Sequence, residues 1–203
     1  MYITDFIASP EILSISKDIL NTPFVQEMKN GTLPDGLFRY YLTQDHIYLK
    51  YYKDAGKKIK LSSDDSEIKE LYGEIGDEEP EFHTRMLKSF NLRSSEINDN
   101  MENYTTYSYI NHIIRWSNDG AINGMYSMFA CQWSYEYIAR NLRNVSTKFE
   151  FWFNFYRSEK YTSITEKYIK IFNRSQMNEE QKSIFLFGLM YELNYWNACY
   201  HKI

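Results

Sequence analysis

PDGLFRYYLTQDHIYLKYYKDAGKKIKL, residues 34–61, repeats its apolar side chains at three- and four-residue steps along its whole length, and nothing stronger than Gly36 and Gly56 interrupts it. That spacing predicts one long helix with a single buried stripe. Upstream, Ser9-Pro10 reads as an N-cap followed by proline at the first helical position, opening a helix toward Leu20. Thr22-Pro23 opens a second, which Gly31 closes. Downstream, residues 62–65 supply a cap for a helix through Glu70, and Pro80 starts another that carries Phe82, Met86 and Phe90. The polar run at 91–103 reads as an ordered loop. Helices are then expected over 105–116, 123–142, 147–156, 163–172 and 178–200, and no stretch alternates cleanly enough to form a sheet. Short connections favour antiparallel neighbours, so the expected fold is an all-α helical bundle. No repeat, low-complexity segment or linker divides the chain, which is expected to form a single domain over residues 1–203.

The 203 residues suffice to bury a core without metal or disulfide staples. With 19 Tyr, 13 Phe and 4 Trp, that core must house many rings, and each buried tyrosine hydroxyl needs a partner. Net charge is −4 with lysine and arginine dispersed, so no basic stripe is available for phosphates and nucleic acid is not an expected partner. The first residues lack a basic segment followed by an apolar one, and no apolar run reaches membrane-spanning length. A cytoplasmic protein without membrane partners is expected. Two cysteines, Cys131 and Cys199, make no disulfide framework. Four matches to the glycosylation sequon carry no meaning in that compartment.

The informative residues place polar or reactive groups on apolar stripes. Tyr41, Asp45, Tyr48 and Tyr52 share one face of the long helix. Phe185, Leu189, Glu192, Tyr195, Trp196 and Cys199 line the last helix, with Glu192 as its one charged member. Met128, Cys131, Tyr135 and Ile138 form an inward stripe on the 123–142 helix. An unpaired buried carboxylate costs several kcal/mol, comparable with the net stability of a small domain. One explanation is structural: a tyrosine hydroxyl satisfies each acid, and each cysteine is a small hydrophobe. The other is a water-lean pocket that raises one carboxyl pKa for general-acid work.

Several other chemistries lack their residues. The positions three before His46, His83, His112 and His201 are Thr43, Pro80, Tyr109 and Ala198, so the Glu-x-x-His pairs of a di-iron bundle are missing. There is no phosphate loop, no G-x-S-x-G elbow and no zinc-like Cys/His spacing. His46 reads as a satisfied or surface histidine. His83, four residues after Glu79, reads as a helix-surface or supporting contact rather than a metal ligand.

Taken in order, the segments from about Thr22 to Tyr200 resemble the TenA/thiaminase II family. TPFVQEMKNGTLPDGLFRYYLTQDHIYL resembles a signature in which a short helix ends in G-T-L-P and the next carries Q-D-x-x-Y, matching Asp45 and Tyr48. YSYINHIIRWSNDG places the matching ring at Tyr109. CQWSYEYI resembles a C-x-W-x-Y segment, with the nucleophile at Cys131 and a pocket tyrosine at Tyr135. FWFNFY matches a W-x-x-x-Y element ending in Tyr156, and YELNYWNACY matches Y-E-x-x-F-W with the catalytic acid at Glu192. The sequence departs from that pattern at Ala130 and Gln132, where prolines are common, at His46, which replaces an aromatic or small residue, at Gly188, where serine is usual, and at Tyr195, which replaces phenylalanine.

The resemblance implies a haem-oxygenase-like bundle, a homotetramer, and a hydrolase that releases 4-amino-5-hydroxymethyl-2-methylpyrimidine from thiamin or its aminopyrimidine degradation products. In that chemistry a Cys131 thiolate adds to an electron-poor pyrimidine carbon and Glu192 delivers a proton to a ring nitrogen. Tyr109 and Tyr156 are expected to position the sulfur, and Asp45 to hold the exocyclic amine and the adjacent ring nitrogen. Tyr48, Tyr135 and Tyr195 are expected to stack and shape the pocket. No metal or organic cofactor is required. The rival readings are a cofactor-free oxidase on the same fold and a non-catalytic pyrimidine-binding or regulatory protein.

Overall fold

The computed structural model describes residues 1–74 and 78–203, and among these every regular element is helical. In chain order they are α1 (Ile3–Ile7), α2 (Pro10–Leu20), α3 (Pro23–Asn30), α4 (Asp35–Ser62), α5 (Ser66–Glu74), α6 (Glu78–Ser89), α7 (Tyr104–Asp119), α8 (Ala121–Asn141), α9 (Glu150–Tyr156), α10 (Glu159–Phe172) and α11 (Glu179–His201). Two single 3-10 turns, Ser94–Glu96 and Asp99–Met101, order the connection between α6 and α7.

Local chemistry sets most of these boundaries. The Ser9 hydroxyl accepts from the Ile12 N–H with Pro10 at the first helical position, and Asn103 accepts from Thr106 at the start of α7. Asn178 and Gln181 form a reciprocal capping box that opens α11. Gly31 ends α3 at φ 76°, and a Cβ there would meet the Ser146 hydroxyl at 2.2 Å, so both conformation and space require glycine. Several expected starts differ: α8 begins at Ala121 rather than at 123, and α9 at Glu150 rather than at 147. α10 begins at Glu159 rather than near Ser163, because Ser158 caps it by accepting from Tyr161. α6 begins at Glu78, ahead of Pro80, which brings Glu79 onto the helix. α1 was not anticipated: it is a single short turn whose Ile3 and Phe6 are buried, and it packs on α2 and α10.

α8 is the hub of the bundle. It packs against α11, α7 and α4, with α10 and α9 on its remaining sides. The sequence pattern predicts a buried stripe on this helix, yet residues 124–136 are buried all round because neighbours surround it. Two glycines permit the close approach. A Cβ on Gly124 would come within 2.9 Å of Ile59 and of the Ser117 backbone, and one on Gly188 within 2.5 Å of the Ala130 Cβ. The first brings α8 onto α4 and α7, and the second brings it onto α11. No helix of the described residues is long and apolar enough to cross a membrane.

Candidate active site

The three residues that broke the apolar pattern come from three adjoining helices, α4, α8 and α11. Asp45, Cys131 and Glu192 are 3%, 5% and 1% exposed. Tyr48, Tyr109, Tyr135, Tyr156 and Tyr195 are buried with them. Their stripes meet because α4, α8 and α11 pack on one another and α7 closes the group.

Glu192 has one partner of good geometry, the Tyr109 hydroxyl, which donates to its Oε1 at 2.9 Å, and Oε2 has none. Burial pushes its pKa up to about 8 and the Asp45 carboxylate adds to the rise, while the Tyr109, Ser134 and Cys131 side chains hold it down. The carboxyl is therefore a neutral acid at neutral pH. Burial also pushes the Cys131 thiol well above its ordinary range, the Glu192, Glu79 and Asp45 carboxylates push it further, and the Tyr48 hydroxyl acts in the opposite sense. Tyr48 lies against Tyr109 with ring centroids 4.8 Å apart, and its hydroxyl, turned toward the thiol, makes no well-aligned hydrogen bond.

The expected tyrosine arrangement differs in detail. Tyr109 donates to Glu192, and Tyr156 donates to Glu79 Oε1 at 3.3 Å, so both hydroxyls engage carboxylates rather than the sulfur. Tyr135 packs edge-on to Tyr156 and tilted against Trp152 and Trp196, with centroids 4.8, 5.6 and 5.4 Å away. Tyr195 turns toward the backbone carbonyl of Tyr41, 3.4 Å away, and toward Cys199, which is fully buried. Its hydroxyl braces α11 against α4.

Asp45 is not held by tyrosines. Among the described residues no tyrosine hydroxyl hydrogen-bonds to it, and its Oδ2 lies 2.9 Å from His83 Nδ1. His83 is 3% exposed, so it is an interior group and not a helix-surface one. His46 is half-buried and stacks on His83 with centroids 5.4 Å apart.

Glu79 is a further, half-buried acid, which a helix starting at Pro80 leaves outside the helix and the observed start at Glu78 brings onto it. Its four-residue spacing to His83 was the available signal, and with α6 beginning at Glu78 both residues face α4. Burial raises the Glu79 carboxyl to about 8, with Asp45 adding to the rise. Two surface clefts meet at Glu79, one lined by Gln132, Phe155 and Tyr161 and the other by Tyr52, Gly56 and Met128. Among the described residues, no group of three or more His, Cys, Asp or Glu side chains is placed to hold a metal ion.

A buried thiol thus lies beside a neutral carboxylic acid, with the Asp45 carboxylate close to both. The family model for the TENA/THI-4/PQQC family matches residues 9–202. The chain belongs to that family. It is similar to the aminopyrimidine aminohydrolase of Helicobacter pylori, 25% identical over 93% of this chain and 94% of that one. In fold it is similar to a TenA homologue from P. horikoshii, with a TM-score of 0.89 and 24% identity over 99% of both chains. The haem-oxygenase-like character of this TenA bundle is seen in its likeness to a heme oxygenase-1 from Synechocystis, with a TM-score of 0.65 at 10% identity over 98% of this chain and 92% of that one.

Proposed function

We propose that the protein is a cysteine-dependent aminopyrimidine aminohydrolase of the thiaminase II type, which releases 4-amino-5-hydroxymethyl-2-methylpyrimidine from aminopyrimidine breakdown products of thiamin or from thiamin itself. The observation that carries this reading is the Glu192 carboxyl, raised to about 8 and tied by one oxygen to Tyr109, beside the buried Cys131. The name of the Helicobacter pylori relative supports the same reaction class.

A thiolate standing alone in this pocket is unfavourable, since burial opposes it and the neighbouring acids oppose it further whenever they ionise. The chemistry therefore runs through Glu192. As the sulfur bonds to the electron-poor ring carbon, the thiol proton passes to the unpartnered Oε2 and the carboxyl's own proton goes to the ring nitrogen, so no isolated charge builds up. Asp45 holds the exocyclic amine. Departure of the leaving amine with a proton produces an exocyclic methylene, water adds to that carbon, and the carbon–sulfur bond breaks to return Cys131 as thiol. The sum is aminomethylpyrimidine plus water giving hydroxymethylpyrimidine plus ammonia. Tyr48 and Tyr135 supply ring surface for the pyrimidine.

The cytoplasm and a homotetramer complete the reading. Tyr104, Tyr107, Phe187 and Met190, on α7 and α11, are exposed apolar groups that support self-association. The functional test is to incubate the purified protein with the aminomethyl-substituted aminopyrimidine and with thiamin and to quantify hydroxymethylpyrimidine. Release from either establishes the reaction class and ranks the substrates. Tight binding of both without turnover would replace this reading with that of a pyrimidine-sequestering protein.

A further inference from the structure

Asp45 faces the proposed substrate, so whatever fixes its carboxylate also fixes recognition of the pyrimidine's amino group. The candidate is His83. Its Nδ1 is 2.9 Å from Asp45 Oδ2, the two atoms are misaligned for a hydrogen bond, and neither has any other partner. Two buried polar atoms at this separation with nothing else to bond are partners of one another once the ring rotates slightly, because leaving both unpaired costs about 1–3 kcal/mol each. His83 Nε2 is also buried and unpartnered, and the ring stacks on His46, which restricts its rotation to its own plane.

We propose that His83 is a positioning residue for Asp45. Carrying its proton on Nδ1, it donates to Oδ2, occupies that oxygen, and turns Oδ1 toward the amino group of the bound pyrimidine. The inference rests on Asp45 being the aminopyrimidine clamp. It adds that α6, a helix with no part in the attack itself, sets the selectivity for the 4-amino group. The logic is that of an outer partner holding a directly contacting group in one orientation, where loss of the partner leaves the contact present but loose.

Two measurements test it. In the free 203-residue protein, nitrogen-15 NMR of the imidazoles is tractable with four histidines. His83 is expected as an Nδ1–H species whose signals move in Asp45→Asn. An Nε2–H tautomer, or signals indifferent to Asp45→Asn, would overturn the pairing whether or not the protein handles pyrimidines. The second measurement is calorimetric binding of 4-amino-5-hydroxymethyl-2-methylpyrimidine and of the analogue lacking the 4-amino group. His83→Leu should weaken the amino compound about tenfold and leave the analogue nearly unchanged. His83→Asn, whose amide nitrogen sits near the Nδ1 position, should recover most of the loss. Equal weakening of both ligands, or failure of His83→Asn to rescue, would mean that His83 only fills space. If the wild type binds neither ligand, the functional reading fails and the imidazole spectra decide the pairing.

Discussion

The Tyr109 hydroxyl donates to Glu192 Oε1 across 2.9 Å and leaves Oε2 with no partner. One oxygen of the acid is thus anchored and the other is free to exchange protons. The bond is also the largest influence that lowers the Glu192 pKa against burial.

Removing that bond in Tyr109→Phe therefore raises the Glu192 pKa further. The proposed mechanism uses the protonated acid, so kcat/KM of the wild type should fall as pH passes about 8. In Tyr109→Phe this alkaline limb should move up by about one pH unit, equivalent to about 1.4 kcal/mol. A limb that stays in place or moves down would mean that the titration belongs to another group.

Glu192 also links stability to pH. Its folded pKa of about 8 lies above the ordinary value of 4.5, so the native state holds a proton that the unfolded chain releases. Its contribution is fully present below about pH 4.5 and is lost as pH rises toward 8. Glu79, raised to about 8 as well, acts in the same direction. Thermal melts between pH 5 and 8.5 should show wild-type stability declining, with the Glu192 share on the order of a few kcal/mol or less. Glu192→Gln should flatten part of that decline and melt higher than wild type at the alkaline end.

The spacing of α8 and α11 depends on Gly188. Gly188→Ala puts a Cβ 2.5 Å from that of Ala130, and neither group has a rotamer to move aside. The helices must separate, at a cost of about 1–3 kcal/mol in denaturant unfolding, and the Cys131-to-Glu192 contact should loosen with a fall in kcat. Adding Ala130→Gly should recover much of the stability, a coupling that a double-mutant cycle measures.

Helical periodicity made the bundle legible. α4 and α11 carry apolar stripes that run their whole length with one acid set into each, and Ser9-Pro10 and Thr22-Pro23 mark the starts of α2 and α3. α1 was missed because a five-residue helix offers too short a window for a period. α10 was shortened because its first turn is polar in sequence although Tyr161 and Thr162 are buried. Asp45, Cys131 and Glu192 stood out because each interrupts an apolar stripe. Their partners are less visible, since which hydroxyl meets which carboxylate depends on helix crossing and rotation. The family resemblance implied Tyr109 and Tyr156 hydroxyls near the sulfur, whereas packing carries them to Glu192 and Glu79. The four-residue spacing of His83 and Glu79 is legible in the sequence, but that His83 meets Asp45 depends on how α6 packs on α4.

The most direct test of the account is the hydrolysis rate of the aminomethyl-substituted aminopyrimidine by folded Cys131→Ser beside the wild type. A hydroxyl is a far weaker nucleophile than a thiol, so with Cys131 as the proposed nucleophile the rate should drop by about a thousandfold or more with the thermal midpoint little changed. Full activity in Cys131→Ser would contradict the covalent mechanism and leave Glu192 and Asp45 to act on water directly.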